Sequence, residues 1–457
     1  MVYIDNKLTI TNPSKETMDW IKQNLEFSNP EFAKKEKMGL YTKNIPPVIT
    51  LFETAGNAVT IPYGCVTMSI PGIKEQELKF AKPASDIQLN YNSRINLFSY
   101  QERAVEQALQ SSSGVIVMPC GSGKTQTALE LVARYKGRAL WITHTKELLK
   151  QSMERAKSVY DINSKGIGTI TEGKIDIGEY ITFATVQTLA SIDLYDYRDY
   201  WDVIIVDECH KAVGTPTHLM MFYKVISQLS AYHKFGLTAT PKRQDGLERS
   251  MFALLGDLII EIDQENIPTA PTYVWPVQTG CELDLTNMVN TDGTLNFVKV
   301  TNALCEDPAR NMLIAQIINQ LNDTCLILSD RVDHLYTLQK LVGEQYTEVI
   351  SSRSMNKKEK ERREAAIDRL RRKEIKCLFA TYQLAKEGLD IPSLAYVLFT
   401  TPKKDDITVI QSAGRVRRTA PGKNYGMIVD FVDNMPLAQR YFQHRKSIFK
   451  KLNVKML

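Results

Sequence analysis

The segment 115–125, VIVMPCGSGKT, combines residue types that could hold a phosphate. Residues 115–118 are a short apolar run of the kind that makes a buried parallel strand. Pro119 and Cys120 then lead into Gly121, Ser122 and Gly123, a backbone able to wrap closely round an anion. Lys124 and Thr125 follow, and TQTALELVARYK continues at helical spacing. Strand, glycine-rich turn, Lys-Thr and helix is a layout in which backbone amides and a helix N-terminus face phosphate oxygens. In that reading Lys124 neutralises the β/γ oxygens and the Thr125 hydroxyl coordinates magnesium, so ATP and Mg2+ are the expected ligands. Met118 stands where the strict pattern has glycine, and a glycine turn before an ordinary helix is the competing reading.

A second group of chemical residues follows the apolar run in DVIIVDECHKA, where Asp207 and Glu208 close a strand. Magnesium on ATP needs a hard oxygen ligand, and hydrolysis needs a carboxylate to orient or deprotonate water. Asp207 suits the first role and Glu208 the second. Two solvated acids at a strand end would be unremarkable alone; beside a phosphate loop they are a catalytic pair. His210 and LTATP (237–241) are expected to couple this site to another part of the molecule, with partners that the sequence does not identify.

The elements that must position these residues are legible as an alternation. GVIVM, RALWIT, EYITFAT, DVIIVD and KFGLTAT alternate with amphipathic helices, and after a proline-bearing break near Pro268 the pattern resumes with CLILSD, YTEVIS, KCLFAT, AYVLFT and GMIVDFV. Such alternation predicts parallel sheets covered by helices on both faces. Ligands of open α/β sheets sit at strand C-terminal ends, where every polar motif above lies. Before this, YIDNKLTI reads as a strand, PSKETMDWIKQNLEF as a helix and PPVITLFETAGNAVTIPYG as a hairpin. The expected organisation is α/β: a small α+β unit over 1–90, then two tandem parallel-sheet domains over 91–268 and 269–457.

Composition limits the classes open to the chain. At 457 residues, with 43% hydrophobic and 24% charged residues, it is an ordinary globular sequence. The formal charge of +5 is mild, although 353–376 and 440–455 are rich in Lys and Arg. The seven cysteines form no CxxC pair, which speaks against a zinc site or a disulfide framework. Neither a signal segment nor a long apolar run is present, so the expectation is a cytoplasmic protein with no membrane partner.

The order LFSYQERAVEQAL, MPCGSGKT, THTKELLKQ, FATVQTL, DECH, LTATP, LILSD, ATYQLAKEGLDIP and QSAGRVRR resembles the full motif series of superfamily 2 helicases over residues 97–418. LTATPKRQDG and the spacing of the second domain are most similar to the XPB and UvsW branch, which includes phage DNA branch-migration helicases. The resemblance implies two RecA-like domains with ATP between them. It implies that Gln101 reads the adenine edge and that Phe98 or Tyr100 packs on the base. It implies that Gly388 and Asp390 approach the nucleotide from the second domain, that Gln411 links the domains, and that Arg415 and Arg418 reach the γ-phosphate. Thr145, Thr185 and Thr381 would grip a nucleic-acid backbone without reading bases. DECH does not decide between DNA and RNA.

The expected partner is forked or branched DNA, tracked along one strand by a monomer, with RNA as a possible substrate. An RNA helicase, a duplex translocase that does not separate strands, and an ATP-gated binding or annealing module remain competing readings. Glu208 argues against the last, since a pure switch has no need of a water-activating carboxylate. In the N-terminal unit, NPEFAKKEKMGLYTK sets lysines beside Phe32 and Tyr41, a pattern able to hold a phosphate backbone and stack on an unpaired base.

Overall fold

The segment expected as one N-terminal strand is two. Val2–Ile4 and Lys7–Thr11 pair antiparallel with Val2 opposite Ile10 and Ile4 opposite Leu8. Asp5 and Asn6 make the reversal, with Asp5 N donating to Lys7 O at 3.0 Å. A polar pair between two alternating runs is a hairpin signal. The helix Lys15–Leu25 starts at Ser14, whose hydroxyl accepts from Thr17 N at 3.1 Å. Glu53–Ala55 and Ala58–Pro62 form the expected hairpin. The sheet runs in the order Glu53–Ala55, Ala58–Pro62, Lys7–Thr11, Val2–Ile4, Leu78–Phe80.

The computed structural model describes every residue except 1, 75–77, 81–86, 120, 214, 240–246, 264, 266, 291–293, 352–356, 387, 388 and 390, and the side chains of Lys357, Lys360 and Lys386. The expectations for Cys120, Gly388 and Asp390 therefore lie outside the described residues. Two compact units result, Met1–Asn266 and Ile267–Leu457.

In the first unit, eight strands lie in the order Lys174–Asp176, Ile167–Thr171, Ile181–Thr185, Ala139–Thr143, Val203–Val206, His233–Thr238, Ser113–Val117, Leu258–Glu261. All neighbours are parallel except the pair at the Lys174–Asp176 edge. The central strands are buried on both faces, which explains their unbroken apolar runs. Residues 1–90 do not have a core of their own. Val2, Leu8, Ile21 and Ile61 belong to the same apolar cluster as Val206, Leu254 and Leu255.

The second unit is built on seven parallel strands in the order Thr347–Ile350, Cys377–Thr381, Cys325–Ser329, Tyr396–Phe399, Gly426–Val432, Thr272–Gln278, Lys455–Met456. The proline-bearing break thus contains a strand, Thr272–Gln278. It keeps full register with Gly426–Val432 despite Pro276. Its other neighbour touches only Tyr273 and Val274, so Pro276 sits beside an open edge, where a missing N–H is tolerated.

Candidate ATP and nucleic-acid site

The strand Ser113–Val117 is wholly buried, and Met118 continues it: its N–H donates to Thr238 O at 2.9 Å and its side chain is fully covered. The residue at the loop's first position therefore belongs to the strand and needs no glycine. The two later glycines are required. Gly121 and Gly123 take φ of 82° and 80°, and a Cβ on Gly123 would lie 2.4 Å from Gln101 Nε2. Pro119 is half-buried, with its carbonyl accepting from Ser122 N at 3.2 Å. Lys124 and Thr125 open the helix Lys124–Tyr135.

Gln101 is buried beneath this loop. Its Nε2 donates to Ser122 O at 2.8 Å, and its Oε1 accepts from Phe98 N at 2.9 Å as the helix Ser99–Leu109 begins. Tyr100 Oη donates to the same Ser122 carbonyl at 3.0 Å. Of Gln101's two polar atoms, Nε2 holds the loop and Oε1 caps its own helix. Of the two aromatic candidates, Tyr100 is buried and Phe98 is 54% exposed, so Phe98 offers the accessible ring.

Asp207 and Glu208 follow the strand Val203–Val206. Asp207 is buried, and its Oδ1 accepts from Glu208 N at 3.0 Å. Burial, then the Glu208 charge, raise the Asp207 carboxyl above the usual range, against the pull of Lys124. Glu208 is half-buried, which raises its carboxyl, yet Lys124, His210 and His144 together hold it below the ordinary value. Lys124 Nζ stands 3.5 Å from Glu208 Oε1, and His210 Nδ1 stands 3.3 Å from Glu208 Oε2. The Glu208 backbone is left-handed, with φ of 49°, a conformation that costs a non-glycine residue roughly 1–2 kcal/mol. His210 Nδ1 also lies 3.0 Å from Thr238 Oγ1, which identifies one partner of LTATP: the acid turn is tied to the strand His233–Thr238.

These residues fit a magnesium nucleotide. Gly121 and Gly123 are both left-handed, a Cβ on Gly123 would crowd the Gln101 amide beneath the loop, and Ser122 Oγ is buried there without a partner among the described residues. The donor set is a hydroxyl and a carboxylate, Thr125 and Asp207, suited to a hard cation that also carries phosphate oxygens.

The backbone-gripping threonines differ from one another. Thr145 is half-buried and caps the helix Lys146–Val159, accepting from Leu148 N at 3.3 Å. The Thr185 hydroxyl is buried against Thr188 Oγ1 at 2.9 Å. The exposed residue at that corner is Gln187, whose amide donates to His144 O at 3.0 Å. Thr381 ends the strand Cys377–Thr381, and its Oγ1 is buried without a partner among the described residues.

In the second unit, the helix Asp406–Val416 is capped by Asp405 and carries Gln411 and Arg415. Arg415 is buried, with Nη1 donating to Leu389 O at 2.6 Å and Nη2 to Ala385 O at 2.7 Å. Both arms thus brace the backbone at Ala385 and Leu389. Arg418 is half-buried just beyond the helix. The structure thus gathers Gln101, Pro119, 121–125, Asp207 and Glu208 in one unit and Thr381, Gln411, Arg415 and Arg418 in the other. Sequence reasoning missed that Tyr100, within the segment that carries Gln101, anchors the loop through Ser122, and it gave no signal for Met251. No described helix is long and apolar enough to cross a membrane.

Comparison with known proteins gives consistent findings. Residues 94–243 match the family described as type III restriction enzyme, res subunit, and residues 309–420 match the helicase conserved C-terminal domain. A protein of Acanthamoeba polyphaga mimivirus described as an ATP-dependent RNA helicase, L396, is 26% identical over 94% of this chain and 80% of its own length. A protein of Haloarcula marismortui described as the DNA 3'-5' helicase Rad25 is 28% identical over 67% of this chain, which spans 47% of that protein. Among solved structures, S. cerevisiae Dbp5 bound to RNA and ADP BeF3 shares the fold, with a TM-score of 0.56 at 16% identity, covering 80% of this chain and 89% of that one. With the two matches covering more than half of the sequence in the order that the motifs require, the chain belongs to the superfamily 2 helicases, among relatives of the XPB and Rad25 proteins.

Proposed function

We propose that the chain is an ATP-driven DNA helicase that unwinds or branch-migrates forked and junction DNA. The observation that carries the ATPase part is the arrangement around Glu208. A carboxylate held ionised by Lys124 and His210, in a strained turn beside Asp207, suits the residue that orients the attacking water. Asp207 and Thr125 would hold a magnesium ion, which would supply charge neutralisation on the phosphates. Lys124 holds the β/γ oxygens, Gln101 and Tyr100 keep the loop in its cradle, and Phe98 supports the base. Within the second unit, Arg415 braces the backbone at Ala385 and Leu389. Alternation between nucleotide-held and released states of the two units moves the protein along one strand.

DNA is favoured because relatives described as Rad25 and XPB are DNA 3'-5' helicases or translocases. The L396 description supports RNA as the second reading. The selecting grip is the helix Pro30–Lys37, which has no buried residue and exposes Lys34 and Lys37, followed by Tyr41 at 69% exposure. Strand displacement with ATP, measured side by side on a DNA fork, a four-way DNA junction and an RNA duplex with a single-stranded tail, tests the assignment. Faster action on the DNA fork and junction is expected. Displacement of the RNA duplex alone would replace DNA with RNA, and ATP turnover without displacement of any of the three would leave a translocase.

A further inference from the structure

The helix Glu248–Leu255 stands between the acid turn and the N-terminal α+β subdomain, and it packs closely on both. On the catalytic side, Met251 Sδ lies 3.4 Å from Cys209 Sγ, the residue directly after Glu208. Cys209 is fully buried in a slot whose floor is Gly236; a Cβ there would come within 2.7 Å of Leu255 Cδ1 and 2.8 Å of Cys209 Sγ. On the other side the fit is tighter. Gly64 lies in the short turn Tyr63–Thr67, and a Cβ on it would meet Gly256 N at 2.4 Å, Ala253 O at 2.5 Å and Leu255 N at 2.6 Å. All three are backbone atoms of the helix or its C-terminal glycine, which cannot step aside as a side chain can. Thr67 Oγ1 fixes the same end by accepting from Asp257 N at 2.8 Å.

Glu208 holds its left-handed backbone in a tight turn that its own carbonyl closes, accepting from Lys211 N at 2.8 Å. Its N–H bond to Asp207 and the His210 contacts fix the turn at its two ends, and the buried Cys209 side chain pins it between them. Whatever seats Met251 and Leu255 therefore seats Cys209. We propose that the N-terminal subdomain is a positioning element for hydrolysis: Gly64 sets the helix, the helix sets Cys209, and Cys209 sets Glu208. The subdomain acts on the reaction through this strut, independently of any grip on DNA. The inference rests on the reading of Glu208 as the water-orienting carboxylate.

The test uses the full chain and measures kcat and KM for ATP, nucleotide affinity and melting temperature. Gly64→Ala should lower kcat by about tenfold or more, the scale set by small displacements of a catalytic group, with nucleotide affinity within about twofold of the parent. Met251→Ala should act the same way, and Met251→Leu, which refills the slot, should restore kcat. Asp5→Asn loosens the same subdomain at its ion pair with Arg198, away from the strut, and should lower the melting temperature while kcat stays put. Parental kcat in folded Gly64→Ala and Met251→Ala overturns the proposal. Equal losses of affinity and kcat do so too, since they mean a general loosening. If Gly64→Ala does not fold, the Met251 pair decides. A parent with no ATPase in any condition overturns the functional reading itself, which separates the two failures.

Discussion

Arg415→Lys separates bracing from phosphate contact, because the two roles predict losses in different assays. The Arg415 fork makes bonds of 2.6 and 2.7 Å to the carbonyls of Leu389 and Ala385 in a buried setting. A hydrogen bond to a charged group is worth about 1.5–3 kcal/mol net. Lysine keeps the charge but offers one point donor, so one carbonyl loses its partner and the second bond is less well directed. A loss of about 2–3 kcal/mol follows for the second unit. At about 2–4 °C per kcal/mol for a domain of this size, the unit should melt roughly 5–10 °C lower. The assay is calorimetry of the full chain without nucleotide, following the transition of Ile267–Leu457. Arg418→Lys, run alongside, should leave that transition within about 2 °C, the shift expected of a half-buried side chain changed for one of equal charge, while collapsing nucleic-acid-stimulated hydrolysis. An Arg415→Lys protein that melts with the parent and loses only stimulated hydrolysis would refute the bracing role.

Gln101→Ala removes one of two donors from Ser122 O and the acceptor for Phe98 N; the loop should lose preorganisation, raising KM for ATP roughly tenfold (about 1.4 kcal/mol) with kcat little changed, and an unaltered KM would show that the loop holds itself. Lys234 is fully buried with Nζ 3.9 Å above the Tyr63 ring and donating to Leu229 O, and burial lowers its pKa from 10.5 to about 7. The unfolded chain therefore binds a proton that the folded one lacks between about pH 7 and 10.5; this group should make stability rise with pH across that window and level off below about 7 and above about 10.5. Lys234→Met should flatten that rise in denaturant titrations, and an identical slope in both proteins would contradict a buried, shifted lysine. Reversing Lys34 and Lys37 to Glu should weaken junction binding and its salt dependence while leaving single-strand-stimulated ATPase near the parental rate; surface reversal is the proper test, since deleting 1–90 would strip apolar residues from the core of the first unit.

Much of this was readable in the sequence, for identifiable reasons. Parallel strands buried on both faces leave apolar runs such as residues 203–206 that hardly depend on tertiary context, and loop glycines at positive φ leave a spacing that can be matched. Met118 looked like a departure only because the sequence does not show where the strand ends; its bond to Thr238 O places it inside the sheet. Thr185 and Arg415 were assigned by motif position, but motif position does not say which way a side chain turns, and both turn inward. The split of YIDNKLTI hinged on two residues, Asp5 and Asn6, whose turn is visible only once Val2 is seen opposite Ile10. The merging of 1–90 with the first sheet was out of reach, because it depends on Gly64 meeting a helix almost two hundred residues away.

The central claim is that Glu208 drives hydrolysis coupled to nucleic acid. Steady-state ATP turnover of the full chain and of Glu208→Gln, each alone and with single-stranded DNA, duplex DNA and RNA, tests it most directly. Parental turnover should rise on single-stranded DNA, and Glu208→Gln should still bind ATP but turn over at least roughly a hundredfold more slowly in every condition. Glu208→Gln turnover at the parental rate, or parental turnover indifferent to all three nucleic acids, would contradict it.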